Sequence, residues 1–440
     1  MGAPVVKKLG FVHQCPSGWV VEGKETNRIG SRSVRCWCKC LISYGANDEF
    51  VGSRRETPVE REREEVSHAS SIACYYRLIS MAFSFKKVFS SLQSSPALAQ
   101  SAVGVDIGRS AVKVVELERN EEAPILKTYG EIHLGPYAEQ PVGSVVDFDI
   151  ELLKKAIVDV LRESGVSARH GTLSLPLSTG FVTVIQIVTP EGEEIASRIP
   201  VEARKYVPLP LQEITLDWAP VGAAHTNERG ETVQSVLLVA LQNESVISFK
   251  TLLDHIELPQ QPMELAMFSA SRALDGAAET VALVDVGAAV SKLYIYESGT
   301  LAGIHRFTAG GAQVTTKLAE LMSVDVAAAE EIKRSAADAD TIANVKRVTT
   351  AVFDASLQEI RRIIQQYETS HNVTDVPVVL SGGVVNTGGF EQYVSDVLQR
   401  PASRAFPFAT VGYPAFMEDV LRDIGPTFMN SLGAALRHVR

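Results

Sequence analysis

The sequence contains no long hydrophobic run, and it has no cysteine beyond residue 74. These two absences argue against a membrane-spanning protein and against a cysteine-rich secreted protein. No apolar run approaches the ~20 residues that a membrane-spanning helix needs, and the N-terminal residues lack the apolar core of a secretory signal. Three of the five cysteines form a C-x-C-x-C run from Cys36 to Cys40, which lacks the spacing of a standard zinc knuckle. We therefore expect a cytoplasmic protein without a membrane span.

Charge is also distributed unevenly along the chain. Residues 1–80 carry a net charge of +3 and residues 81–440 carry −13, which gives −10 for all 440 residues. An acidic body argues against nucleic acid as the main partner. The first eighty residues show no clean periodicity, include a long charged run and precede a second start at Met81. We interpret residues 1–80 as a disordered segment or as upstream sequence read through from an earlier start.

What the sequence does contain is a repeated turn with an aspartate and a glycine. "VGVDIGRSAVKVVEL" begins at Val103 and "ALVDVGAAVSKLYIY" begins at Ala282, and Asp285 follows Asp106 by 179 residues. Each copy predicts a strand, an Asp-x-Gly turn and a second strand. One such turn could be an ordinary turn or a phosphate cradle. Two copies, each opening one half of the chain, predict two similar α/β halves that face one ligand.

The residue types in these turns suit a nucleotide. Backbone N–H groups of glycine-rich turns can converge on phosphate oxygens, and Asp106 and Asp285 at the strand ends could hold Mg²⁺ through its water molecules. Lys113 and Lys292, on the second strand of each copy, either reach phosphate or simply face solvent.

A third glycine-containing stretch follows later in the chain. "VPVVLSGGVVNTGG", from Val376, predicts a buried strand followed by a Ser-Gly-Gly loop. Gly382 and Gly383 would let a base or ribose approach the backbone closely, and a tight strand–helix turn is the alternative.

These motifs resemble those of the actin-like ATPase superfamily, and within it the PilM family of type IV pilus assembly proteins. The stretch "RIPVEARKYVPLPLQEITLDW" is similar to a subdomain inserted in PilM and in the cell-division protein FtsA. The resemblance implies an α/β, actin-like (ribonuclease H-like), two-lobed duplicated fold with an inserted small α+β interaction subdomain. The implied domains are a first lobe at 81–170 and 266–280, an insert at 171–265, and a second lobe at 281–440 with a helical subdomain at about 312–374.

The resemblance also implies which residues bind ATP and Mg²⁺. They are Asp106, Gly108, Ser110 and Lys113 in the first phosphate motif; Asp285, Gly287 and Ser291 in the second; Gly310 and Gly311, which close over the nucleotide; Glu330 and Lys333 at the ribose or base; and Gly382, Gly383 and Asn386 in the adenosine loop. Asp106 and Asp285 would hold Mg²⁺ through water. Arg109 stands where small residues are common. No residue convincingly positions an attacking water, so the catalytic residues are unknown, and we expect nucleotide binding with at most weak ATPase activity.

The insert predicts either an interaction module, whose edge or groove captures an extended peptide, or an inert elaboration. The resemblance implies that it binds the cytoplasmic N-terminal tail of PilN, at the inner face of the cytoplasmic membrane. Contacts with other pilus platform proteins and motor ATPases, and self-association, are further implications. Two alternatives stay open. An FtsA-like filament-forming ATPase would be expected to end in an amphipathic membrane helix, and a metabolite kinase would need a catalytic base and a sugar pocket.

Overall fold

The computed structural model describes residues 34–36, 98–147, 149–190, 192–256, 262–274 and 278–440. The strands are β1 Val34–Cys36, β2 Ser101–Ile107, β3 Ala111–Glu118, β4 Ile125–His133, β5 His170–Leu175, β6 Gly180–Thr189, β7 Ile214–Thr226, β8 Thr232–Gln242, β9 Met263–Leu265, β10 Thr280–Val286, β11 Ser291–Glu297, β12 Thr300–Phe307, β13 Val378–Ser381 and β14 Ala402–Arg404. The α-helices are α1 Ile150–Glu163, α2 Ile195–Ala203, α3 Asn243–His255, α4 Ala266–Ala273, α5 Gly311–Met322, α6 Val326–Ser335, α7 Ala339–His371, α8 Phe390–Leu398 and α9 Glu418–Val439.

Two mixed sheets have the same strand order apart from the additional edge strand β1 of the first sheet. The first sheet runs β1-β4-β3-β2-β5-β9 and the second runs β12-β11-β10-β13-β14. In each, an antiparallel hairpin is followed by parallel pairing of its first strand, β2 with β5 and β10 with β13. Strands β2 and β10 begin and end at residues that are 179 positions apart. The predicted duplicated, two-lobed α/β fold is therefore confirmed.

The second sheet is buried on both faces. In β10, Val281 and Leu283 contribute to the core shared with the first sheet, whereas Ala282 and Val284 contribute to a second core with α5, α7 and α8. This alternation follows from the period of two along a strand. A strand covered on both faces is apolar at nearly every position, which is why β10 reads as a continuous run ending in an aspartate. Helix α9 packs against β2, β3 and β5 and completes the first lobe.

The insert forms a separate three-stranded antiparallel sheet in the order β6-β8-β7. One face packs with α2 around Ile185, Ile199 and Leu238, which are at most 4% exposed. Pro200 lies inside α2 and removes one helical N–H donor.

The predicted insert boundaries of 171–265 enclose more than this sheet. Strands β5 and β9 belong to the first sheet, and α3 packs on α1 of the first lobe. The insert sheet itself spans residues 180–242. The helical subdomain expected at about 312–374 stays a prediction, and the helices in that part of the chain are α5, α6 and α7.

The N-terminal prediction falls almost entirely outside the described residues. Of residues 1–97, only β1 is described, and its backbone pairs antiparallel with β4. Among the helices that the structure describes, none is long and apolar enough to cross a membrane.

Candidate functional site

One cleft of about 570 Å³ is lined by residues from both lobes. The turns after β2 and β10 face it, together with the ends of β4, β12 and β13 and the first turn of α5. The duplicated turns that the sequence pointed to therefore meet at a single site.

Each sheet brings a row of polar residues to this cleft through strand register. Lys113 on β3 is paired with Asp106 on β2, and Lys292 on β11 is paired with Asp285 on β10. Neighbouring strands extend both rows, which read Ser174–Asp106–Lys113–Glu131 in the first lobe and Ser381–Asp285–Lys292–Arg306 in the second. Residues in register across a sheet project from the same face, so each row presents its side chains together.

The two aspartates have different surroundings although they are equivalent in the repeat. Asp285 accepts a hydrogen bond from Nζ of Lys292 at 2.7 Å. Asp106 is 7% exposed, and burial raises the pKa of its carboxyl, with Lys113 opposing the rise and Asp285 adding to it. The hydroxyl of Ser174 donates to Asp106 at 3.4 Å, while Nζ of Lys113 lies 3.7 Å from Oε1 of Glu131.

The two Asp-x-Gly turns share one backbone geometry. The N–H of Gly108 donates to the carbonyl of Ala111 at 3.0 Å, and the N–H of Gly287 donates to that of Val290 at 3.1 Å. A β-carbon on Gly108 would lie 2.8 Å from the carbonyl oxygen of Ala111, so the first turn admits only glycine there. In the second lobe, the N–H of Gly311 also donates to the carbonyl of Gly287 at 3.0 Å. The start of α5 thus fixes the second turn.

Helices α5 and α6 form one wall of the cleft around a buried carboxylate. Glu330 accepts hydrogen bonds from the Thr315 hydroxyl at 2.6 Å, from Nζ of Lys333 at 2.5 Å and from Nε of Arg334 at 2.8 Å. Burial alone would raise the pKa of Glu330, but Lys333 and Arg334 hold it below its ordinary value. Burial also lowers the pKa of Lys333, against the attraction of Glu330.

This wall touches the first lobe at two points. An Nη of Arg334 lies 3.5 Å from Nε2 of His133, at the end of β4. Gly143, with φ +88°, approaches so closely that a β-carbon there would lie 2.6 Å from Cδ of Glu330. The lobes are therefore in direct contact beside the cleft.

The loop after β13 also lines the cleft, and its Val384 side chain lies close to Gly311 at the start of α5. Gly382 has φ +93°, and a β-carbon there would lie 2.4 Å from the carbonyl oxygen of Val286, so close packing on β10 requires glycine. A β-carbon on Gly383 would meet no atom within 4 Å, so this backbone has space beside it. The side chain of Asn386 accepts from Arg404 at 2.7 Å and donates to Thr427 at 3.2 Å.

The structure brings most of the predicted site residues to the cleft. Those that line it are Asp106, Gly108, Ser110, Lys113, Asp285, Gly287, Gly311, Glu330, Lys333, Gly382, Gly383 and Asn386. Two do not. The hydroxyl of Ser291 donates to the carbonyl of Ala309 at 2.8 Å and the residue is 2% exposed, because it precedes Lys292 on β11 and adjacent residues of a strand face opposite sides. Gly310 packs behind the second turn, where a β-carbon would lie 2.4 Å from the carbonyl oxygen of Ala288.

Several cleft residues were not predicted from the sequence. Glu131, His133, Gly143, Arg306 and Arg334 all line the cleft. Glu131 and Arg306 occupy the ends of the two rows and could have been found only by extending strand register one strand further. Nothing in the local sequence marks the other three, since their roles depend on contacts between the lobes.

The cleft has the opposite charge balance from the acidic body around it. The described wall carries six cationic side chains, Arg109, Lys113, Lys292, Arg306, Lys333 and Arg334, and four carboxylates, Asp106, Glu131, Asp285 and Glu330. A concave, net-positive site attracts polyanions. Two carboxylates at strand ends, one of them ion-paired with a lysine, suit a hydrated divalent cation between phosphate and protein. The donor set therefore fits a nucleotide with Mg²⁺.

Comparison with known proteins gives three findings. The model of the family described as type IV pilus assembly protein PilM matches residues 104–439. Cell division protein FtsA of Bacillus subtilis (strain 168) is 24% identical over 366 residues, which cover 72% of this chain and 81% of FtsA. A solved structure of a PilM-PilN type IV pilus biogenesis complex matches with a TM-score of 0.62 at 24% identity, over 77% of this chain and 98% of the matched chain. The structural similarity confirms the actin-like fold.

Proposed function

We propose that this chain, which belongs to the PilM family of type IV pilus assembly proteins, is a nucleotide-binding adaptor that binds the cytoplasmic N-terminal segment of PilN at the inner face of the membrane. The observation that carries the nucleotide part is the pair of in-register Asp–Lys rows on the two walls of one net-positive cleft. The solved complex to which the fold is similar supports PilN as the partner.

In the proposed site, each side chain has a role that its chemistry allows. Asp106 and Asp285 would hold Mg²⁺ through its water molecules, and the cation would offset phosphate charge. Lys113 and Lys292 lie beside them as phosphate partners. The open backbone at Gly383 offers space for the nucleoside.

Glu330 and Lys333 would contact the ribose or the base. In the structure, Nζ of Lys333 donates a hydrogen bond to Glu330 at 2.5 Å. Nucleotide binding would therefore have to break or rearrange the bond between these two side chains. We expect α6, which carries both residues, to change when the nucleotide binds.

The insert is the proposed site of peptide binding, and one strand connects it physically to the cleft. β12, the edge strand of the second sheet, contacts both β6 and β7 of the insert. The same strand carries Arg306, which lines the cleft in register with Lys292. A nucleotide that engages Arg306 would shift β12 against the insert, so we propose that nucleotide occupancy changes peptide affinity.

Calorimetric titration of the full chain tests this function. A synthetic peptide of the PilN N-terminal segment from the same organism is added with and without Mg-ATP, and a peptide of the same composition in scrambled order is the control. We expect saturable micromolar or tighter binding and an affinity that changes with Mg-ATP. Equal binding of the scrambled peptide would contradict the adaptor role, and identical affinity in both nucleotide states would contradict the coupling.

Filament formation in cell division is a second candidate, supported by the 24% identity to FtsA over most of that protein. The match to the PilM family model across residues 104–439 favours the first candidate. Sedimentation of the full chain with and without Mg-ATP separates the two. Pelleting that depends on Mg-ATP, together with no peptide binding, would favour the filament.

A further inference from the structure

On the basis of the proposed nucleotide binding, we propose that Arg109 binds the terminal phosphate of a nucleoside triphosphate in exchange for Asp147, and so distinguishes triphosphate from diphosphate. Arg109 lies at the tip of the first Asp-x-Gly turn and lines the cleft. Its Nη2 donates to Oδ1 of Asp147 at 2.8 Å. The equivalent residue of the second turn is Ala288, so this extra cation belongs to one lobe only.

The bond between Arg109 and Asp147 is of a kind that a phosphate can replace. The side chain of Asp147 is fully exposed and that of Arg109 is 26% exposed. An ion pair in such a position contributes little, because water screens it and two side chains must be ordered. A guanidinium can instead bind phosphate oxygens through two parallel hydrogen bonds, which are stronger and geometrically matched.

Position within the cleft favours the terminal phosphate. Lys113 and Lys292 project from the strands behind the two turns and are in register with the aspartates. Arg109 is placed further out, at the turn itself, and its guanidinium reaches toward exposed Asp147. The inner phosphates would therefore meet the lysines and backbone, and the outermost phosphate would meet Arg109.

The exchange would be transmitted to a loop between the lobes. We call residues 139–147 the crossing loop. Asp147 lies at one end of it, where the N–H of Val146 also donates to the carbonyl of Arg109 at 2.9 Å. Nearer its middle, Gly143 lies against Glu330 of the second lobe. Loss of the Asp147 bond removes one of the contacts that fix the loop to the first turn, so the loop should become more mobile when a triphosphate binds.

Three variants of the full chain test the role of Arg109. Arg109→Ser removes the guanidinium, Asp147→Asn removes its partner, and Arg362→Ser is the matched control, because Arg362 forms an exposed pair with Glu359 on α7. Mg-ATP and Mg-ADP affinities are measured by calorimetry. Hydrogen–deuterium exchange of residues 139–147 is measured in each nucleotide state, and a thermal unfolding curve checks that every variant is folded.

We expect Arg109→Ser to weaken Mg-ATP binding about tenfold and Mg-ADP binding less than about twofold, because one charge-assisted contact is lost to the triphosphate alone. Asp147→Asn should strengthen Mg-ATP binding, and Arg362→Ser should change neither affinity. Exchange in the crossing loop should rise with Mg-ATP in the wild type and should not respond in Arg109→Ser.

The outcomes separate this role from the proposed function. A wild-type chain that binds neither nucleotide refutes nucleotide binding itself. A wild-type chain that binds both, with Arg109→Ser weakening ATP and ADP equally or not at all, refutes only the role of Arg109. A crossing loop that becomes more protected with Mg-ATP would refute the exchange of Asp147.

Discussion

Replacing Asp106 by asparagine tests whether the buried carboxylate of the first lobe lowers the free energy of unfolding of the protein. Burial raises its pKa above 3.8, Lys113 opposes the rise and Asp285 adds to it. Folded Asp106 therefore keeps its proton to a higher pH than the unfolded chain does. Its contribution to stability is present at low pH and is lost as the pH rises through the folded pKa. At alkaline pH the buried carboxylate destabilises the ligand-free protein.

We expect Asp106→Asn to raise the free energy of unfolding of the ligand-free chain by about 1 kcal/mol near pH 8, the size expected when a buried charge becomes a neutral isostere. Lys113 keeps a carboxylate nearby, since its Nζ lies 3.7 Å from Glu131. The gain should shrink as the pH falls through the raised pKa of folded Asp106, and it should be smallest below 3.8, where the carboxyl is protonated in both the folded and the unfolded chain. Urea unfolding curves between about pH 5 and pH 8 measure it.

Asp285→Asn is the matched control because it changes the equivalent residue of the second lobe. Asp285 and Lys292 are bonded at 2.7 Å, and their side chains are only 10% and 13% exposed. Removing this carboxylate leaves an ammonium nearly buried beside Arg306, so we expect a loss of about 3 kcal/mol. Both variants should lose Mg-ATP binding. The reasoning would be refuted if the free energy of unfolding changed with the same sign in the two variants, or if the Asp106→Asn chain were less stable than the wild type near pH 8.

Three other substitutions probe other parts of the molecule. Burial lowers the pKa of His438 to about 4, so the neutral imidazole contributes to the stability of the protein above pH 6.5, and this contribution is lost as the pH falls toward 4. His438→Gln should therefore remove about 3 kcal/mol of the pH dependence of thermal unfolding between pH 7 and pH 4. Leu238→Ala should cost about 3 kcal/mol in the insert and lower peptide affinity, while nucleotide affinity measured by calorimetry is retained. Glu330→Gln should cost about 2 kcal/mol near pH 7, since Lys333 loses its buried partner, and the cost in urea unfolding should fall as acid protonates the wild-type carboxylate.

The duplicated fold was predictable because its signal is local and repeated. Alternating apolar residues, a terminal aspartate and a glycine describe each hairpin, and the fixed spacing of 179 residues relates Asp106 to Asp285. Most of the site followed, because turns that end equivalent strands must lie at equivalent places. Ser291 was assigned by motif position alone, and strand geometry explains why it faces away from the cleft while Lys292 faces into it.

The contacts between lobes could not be predicted in this way. His133 and Arg334 are 201 residues apart, and Gly143 contacts Glu330 beside the cleft. Such contacts depend on how two finished lobes pack, and no periodicity or motif of either segment indicates them. The limits of the insert were equally hidden, since β5 and β9 have strand patterns that do not show which sheet they join.

The differences between the two halves say more about the ligand than their similarity does. The two rows contain equivalent Asp–Lys pairs, but the first row ends at Glu131 and the second at Arg306. The first turn has Arg109 at the position where the second turn has Ala288. A symmetric ligand would gain nothing from this divergence. A nucleotide is asymmetric, with a flat, uncharged aromatic base at one end and concentrated negative charge at the other. The second lobe supplies open backbone at Gly383 and the pair formed by Glu330 and Lys333, whereas the first lobe adds a cation at its turn. We therefore expect one binding orientation, with the nucleoside against the second lobe and the terminal phosphate against the first.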